Sequence, residues 1–213
     1  HFEQHDLAVL AGLMVAHPLA ALASMGDDGA TADHIPLEFI AGNCPQGPHG
    51  PHGPQHDGSG LQGRLRGHVA RANPLWQRAA GTPVLAIFSG PQACITPSWY
   101  PSKTNSHKVV PTWNYAVVHV HGVLQVVDDA PWLRALVGGL TAHRESRRSA
   151  PRSVEDAPDD YVQQMLRAIV GIEIPVQRLV GKWKISQNRS NPDRLGVADG
   201  LGSDLMAALV RGG

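Results

Sequence analysis

Residues 90–122 read GPQACITPSWYPSKTNSHKVVPTWNYAVVHVHG, and the reading of this stretch decides the fold. It gathers Trp99, Tyr100, Trp113 and Tyr115 with Lys103, Lys108 and three histidines, in a chain whose aromatic content is only 5%. From Ala116 onward the pattern alternates, with Val118 and Val120 on one face and His119 and His121 on the other, as a half-buried strand requires. Large aromatics beside prolines and lysines at a loop-to-strand junction present flat apolar surface next to cationic donors, which suits a planar ring carrying an anionic tail. The same composition also suits an ordinary corner of a core, and on composition alone both readings stand.

Working outward, residues 6–17 place Leu7, Leu10, Leu13 and Met14 at helical spacing, with Asp6 as the cap and Pro18 as the stop. Residues 19–25, a Gly-Asp-Asp-Gly turn and residues 32–40 predict a β-hairpin, with Pro36 marking an edge or a bulge. Residues 42–60 are Gly-, Pro- and His-rich and predict a mobile surface insertion. His49, His52 and His56 lie in it, but no carboxylate or cysteine pattern fixes a metal geometry. A strand over 61–69 then leads through Arg71 into a helix capped by Asn73 with Pro74 at its first position. A basic residue beside a helix start favours phosphate, and a surface ion pair is the other reading of Arg71.

Strands are expected over 84–89 and 93–96, broken at Gly90-Pro91, and over 116–127. Asp129 caps a helix over 130–141, and another runs to 168 with Tyr161, Met165 and Ile169 as its buried stripe. Strands over 170–174 and 176–185 are expected to break at Pro175 and Gly181. Alternation sends Lys182 and Lys184 to one face and Trp183 to the other, near Gln187, leaving a cation pair or a plain polar strand face. Past Asn191 the tail is Gly-rich, with a weak helix over 204–210.

With 18 basic and 18 acidic residues the net charge is zero, so the footprint of a strong nucleic-acid binder is absent. Cys44 and Cys94 stand far apart in unlike contexts, which argues against a disulfide framework. No run approaches membrane-spanning length and no signal segment opens the chain, so a cytoplasmic protein is expected. The chain opens at His1 rather than at a methionine, and its native start is expected to lie upstream. Several short strands mixed with helices, without βαβ alternation or a glycine-rich dinucleotide fingerprint, predict a mainly β (α+β) fold, an antiparallel barrel with peripheral helices, in a single domain over 1–213.

The strings HPLAAL, LRGHVARANPLW, ITPSWYPSK, VPTWNYAVVHVHG, AIVGIEIPV and GKWKISQNR occur in this order. Together they closely resemble the PaiB-type FMN-binding proteins, a family labelled negative transcriptional regulators. The resemblance implies a split antiparallel β-barrel of FMN-binding type, related to pyridoxamine 5'-phosphate oxidase, with FMN held at a homodimer interface. It makes Arg71, Lys103, Lys182 and Lys184 candidates for the phosphate and Trp99, Trp113 and Asn114 candidates for the ring wall and its polar edge. His68 and Gln187 are supporting candidates. Cys94 and Thr96 depart from the aromatic and serine common in the family. An FMN-dependent oxidoreductase would use the same pocket, but no catalytic residue is identifiable. A direct DNA contact would need a basic face from Arg144, Arg147, Arg148 and Arg152, since no recognition helix stands out.

Overall fold

The helix expected near the N-terminus forms as its spacing dictates. In a computed structural model, which describes residues 2–42 and 62–212, β1 (Glu3–Gln4) precedes α1 (Leu7–Ala16). The Asp6 carboxylate caps α1 by accepting from the Ala8 and Val9 amides, and Leu10, Leu13 and Met14 are buried. The hairpin also forms: β2 (Leu19–Gly26) pairs antiparallel with β3 (Gly29–Pro36), with Gly29 at φ 101°, and β4 (Glu38–Ala41) follows. Apart from Gly42, the insertion with its three histidines lies outside the described residues.

Next come β5 (Gly63–Ala70), α2 (Leu75–Arg78) and β6 (Pro83–Ile95). The helix after Asn73 is a single turn, so it offers little dipole to an anion; Asn73 Oδ1 does accept from the Leu75 amide at 2.8 Å. The break expected at Gly90-Pro91 does not occur. Burial falls on Val84, Ala86 and Phe88 and then changes phase, returning at Ile95, within one continuous strand. Gly90 is needed there because a Cβ would lie 2.7 Å from Leu13 Cδ1 of α1.

A 3-10 turn (Pro97–Trp99) and α3 (Lys103–Ser106) lead to β7 (Thr112–Val123), β8 (Gln125–Val127), α4 (Ala130–Glu145), α5 (Asp159–Arg167) and β9 (Ile169–Lys184). Asp129 caps α4 through the Trp132 amide at 2.7 Å. On α5 the buried stripe is Val162 and Leu166, packed with Leu133, whereas Tyr161 and Met165 are exposed; both sets have the same four-residue spacing, and only packing against α4 chooses between them. β9 runs unbroken through Pro175 and Gly181. Its burial shifts from Val170, Ile172, Ile174 and Val176 to Trp183 and Ile185, the second phase slip. The tail holds two helices, α6 (Asn191–Leu201) and α7 (Leu205–Gly212).

The strand order is β3-β2-β6-β7-β9-β5-β4, with β1 and β8 also pairing with β9. The chain divides into two compact units, one of residues 1–17, 88–119 and 180–213, the other of residues 18–87 and 120–179. The core of the first includes Leu13, Ile95, Tyr100, Val118, Trp183, Val197 and Met206. That of the second includes Leu22, Leu37, Leu65, Leu75, Leu124 and Ile172. Among the described residues no helix is long and apolar enough to cross a membrane.

Candidate flavin site

In the first unit, alternation along β7 turns Trp113, Tyr115 and Val117 outward and buries Asn114 and Ala116. Trp113 remains 50% exposed, and its Nε1 donates to Gln92 Oε1 of β6 at 3.1 Å. The end of β9 supplies the cations, with Trp183 buried between Lys182 and Lys184. The Lys182 Nζ lies 5.8 Å from the Tyr115 ring centroid, a cation–π distance, and Lys184 Nζ donates to Thr112 Oγ1 at 2.8 Å. Neither ammonium pairs with a carboxylate among the described residues. An open groove of about 260 Å³ is lined by Ser89, Gly90, Gln92, Trp113 and Tyr115.

The other expected residues of this unit have different surroundings. Asn114 is fully buried; its Nδ2 donates to Ser186 Oγ at 2.9 Å, and its Oδ1 has no hydrogen-bond partner. Gln187 folds back on the chain, accepting from the Ile185 amide and donating to the Trp183 carbonyl, which ends the strand just after Lys184. Trp99 packs its ring on Gly200 of α6, and Lys103 is exposed at the start of α3.

Arg71 and His68 belong to the second unit. The Arg71 guanidinium meets Asp128 through both terminal nitrogens, at 3.0 and 2.6 Å, and donates further to the carbonyls of Arg167 and Ile169. The hydrogen bond to Arg71 holds the Asp128 carboxyl below its ordinary pKa, and its partner raises that of Arg71. A phosphate would have to displace Asp128 from this fork. His68 is half-buried, with Nδ1 unpartnered, and burial lowers its pKa, so it is neutral at pH 7.

The groove of the first unit is therefore walled by two aromatic rings and the Gln92 amide, with the Lys182 ammonium beside the Tyr115 ring and Lys184 bonded to Thr112 at the start of β7. Aromatic rings, an amide and cations are the kinds of group that a phosphorylated planar ring needs. FMN fits these residues in kind. Sequence reasoning did not select Gln92 or Tyr115. Tyr115 was within reach, because it shares the parity of Trp113 on the strand; Gln92 was not, because the phase slip in β6 hides which way it points.

The profile of a family described as "Putative FMN-binding domain" matches residues 1–178. An uncharacterized protein of Emericella nidulans is 36% identical over 178 residues, covering 70% of this chain and 71% of that one. The "Protease synthase and sporulation protein PAI 2" of Bacillus subtilis is 33% identical over 138 residues, covering 64% of each chain. The chain spans about two thirds of the length of such curated relatives; for one from Aspergillus fumigatus the share is 66%. Among solved structures, the FAD and heme binding protein from Mycobacterium smegmatis superposes with a TM-score of 0.59 at 15% identity, covering 86% of this chain and 74% of that one. The flavocytochrome Anf3 from Azotobacter vinelandii gives 0.53 at 14% identity, covering 90% and 71%. Likeness at such identities is one of fold, and the fold class is the split antiparallel β-barrel with peripheral helices that the sequence led us to expect.

Proposed function

This chain belongs to the PaiB-type FMN-binding family, and on that premise we propose that it holds FMN on the outer face of its first unit, as a homodimer. The observation that carries the reading is the groove lined by Trp113, Tyr115 and Gln92, with the Lys182 ammonium 5.8 Å from the Tyr115 ring centroid. In this proposal the two rings cover the isoalloxazine, the two ammoniums and Lys103 take the phosphate, and Gln92 meets the polar edge. Bound FMN would supply hydride and single-electron chemistry. The protein's own part is to orient the ring and neutralise the tail.

The groove also supports the homodimer. At about 260 Å³ it falls below the roughly 300–1,000 Å³ usual for enclosed small-molecule sites, and it is open, so a second copy laid across it would complete the enclosure. A regulatory role, which the family label suggests, stands second to flavin binding. Of the arginines that would form a basic face, Arg148 pairs with Glu145 at 2.7 Å and Arg152 with Asp156 at 3.8 Å. A specific DNA complex built on several phosphate contacts would weaken steeply with rising salt, and feeble, sequence-blind retention would remove direct contact from the proposal.

The deciding experiment is titration of the purified chain with FMN, followed by visible absorbance and flavin fluorescence, with sedimentation run in parallel. Saturable binding by a dimeric species is expected. Free flavin throughout the titration, or saturable binding by a monomer, would refute the flavin site or the homodimer respectively.

A further inference from the structure

Neither α6 nor the turn before it falls within residues 1–178, yet α6 holds the segment that carries Trp99 and Lys103. Two separate contacts do this. Gly196 and Gly200, one helical turn apart, leave the helix backbone bare. A Cβ at Gly196 would collide with the Trp99 carbonyl oxygen, and one at Gly200 with the Trp99 ring, so the indole rests directly on the helix. Asp193, 5% exposed, reaches across from the first turn of α6. One of its oxygens accepts from the Ser102 amide at 3.0 Å and the other from the Ser102 hydroxyl at 2.8 Å.

The latch bears directly on Lys103. Ser102 is its neighbour in the chain, the Lys103 amide donates to the Tyr100 carbonyl at 3.1 Å, and the His107 amide donates to the Lys103 carbonyl at 3.0 Å. Tyr100 itself is 2% exposed, with the Arg189 guanidinium 4.8 Å from its ring centroid. A short segment fixed at Trp99, Tyr100 and Ser102 leaves the Lys103 side chain as its exposed cation. α7 backs the arrangement, since Arg194 of α6 donates to the Val210 carbonyl at 2.9 Å.

We propose that α6 is a positioning element for phosphate recognition: the Asp193–Ser102 latch and the bare Gly196/Gly200 face that seats Trp99 hold Lys103 where it meets the phosphate of FMN. This rests on the flavin reading above. Asp193 touches no ligand; it acts through Lys103, and its worth is the ordering cost that binding then need not meet.

The test compares FMN with riboflavin, which lacks the phosphate. Asp193→Ala should raise the Kd for FMN about tenfold while leaving riboflavin within about twofold, the size expected when charge-assisted hydrogen bonds that order one cation are lost. Lys103→Ala should show the same signature. The double variant should be no worse than Lys103→Ala, because the two changes act through one contact. Ser102→Ala keeps the amide half of the latch and should show a smaller loss of the same kind, which covers the case in which Asp193→Ala fails to fold. The inference is overturned if Asp193→Ala weakens FMN and riboflavin equally, if its effect adds in full to that of Lys103→Ala, or if Lys103→Ala leaves FMN binding intact. FMN binding by the unaltered chain with any of those results sinks only the latch; no FMN binding at all sinks the flavin reading and the latch with it.

Discussion

Trp113→Ala is the perturbation that bears hardest on the proposed site. Half of this side chain is already covered by the protein and half is exposed. A tryptophan buries roughly 150–250 Å² when fully covered, so about 100 Å² remains for a ligand. At about 25 cal/mol per Å², complete cover by a flavin ring would contribute about 2.5 kcal/mol, and cover of one face about half of that. The Kd for FMN should therefore rise roughly 10- to 60-fold, in line with the roughly 1–3 kcal/mol measured for a base stacked on an aromatic side chain. Flavin fluorescence titration is the assay, run well below the thermal midpoint because the covered half of Trp113 also supports the fold. Trp113→Phe keeps a ring and should recover most of the affinity. If Trp113→Ala binds FMN within about threefold of the unaltered chain, the indole is not a ring wall and the area argument fails.

Three other outcomes follow from named contacts. Lys182→Ala combined with Lys184→Ala should weaken FMN roughly tenfold at low salt, spare riboflavin, and flatten the salt dependence of binding, all read by the same titration. Gly122→Ala, on β7, puts a Cβ against the Pro175 carbonyl oxygen and 2.6 Å from Ile174 Cγ2. Neither atom can swing away, so chemical denaturation should show a loss of about 2–3 kcal/mol, and a loss under about 0.5 would contradict the close approach. For Asp193, burial alone would raise the pKa, but the Ser102 amide and hydroxyl, Ser190 and the Arg189 charge hold it below the ordinary carboxylate value. Its folded pKa thus lies under its unfolded one of about 4, so the stability it contributes is present above about pH 4 and is lost as pH falls through the lower, folded value. Asp193→Asn should flatten that acid limb of a thermal-melt series.

Much of the fold was legible because local rules govern it. Asp6 and Asp129 are caps wherever they stand before an apolar run, Gly29 answers the turn of the first hairpin, and alternation alone put Trp183 opposite Lys182 and Lys184. The misreadings share one cause. Gly90-Pro91, Pro175 and Gly181 look like breaks along a single strand, but each lies within a continuous one. Gly90 lets Leu13 approach, and at Gly181 a Cβ would lie 2.6 Å from the Gln4 carbonyl oxygen. The glycines past Asn191 look like a loose tail until Trp99 needs a bare helix to rest on.

The sequence by itself determined the fold class, the helix caps at Asp6 and Asp129, the family and the pairing of Lys182 with Lys184 on one face, because these depend on residues close together in the chain. Only the tertiary structure decided that Gln92 joins Trp113, that the Arg71 fork is engaged by Asp128, and that Asn114 turns inward to Ser186. Those contacts join residues from 21 to 72 positions apart, and no local pattern of hydrophobicity or charge encodes which distant partner a hydrogen-bonding group will meet.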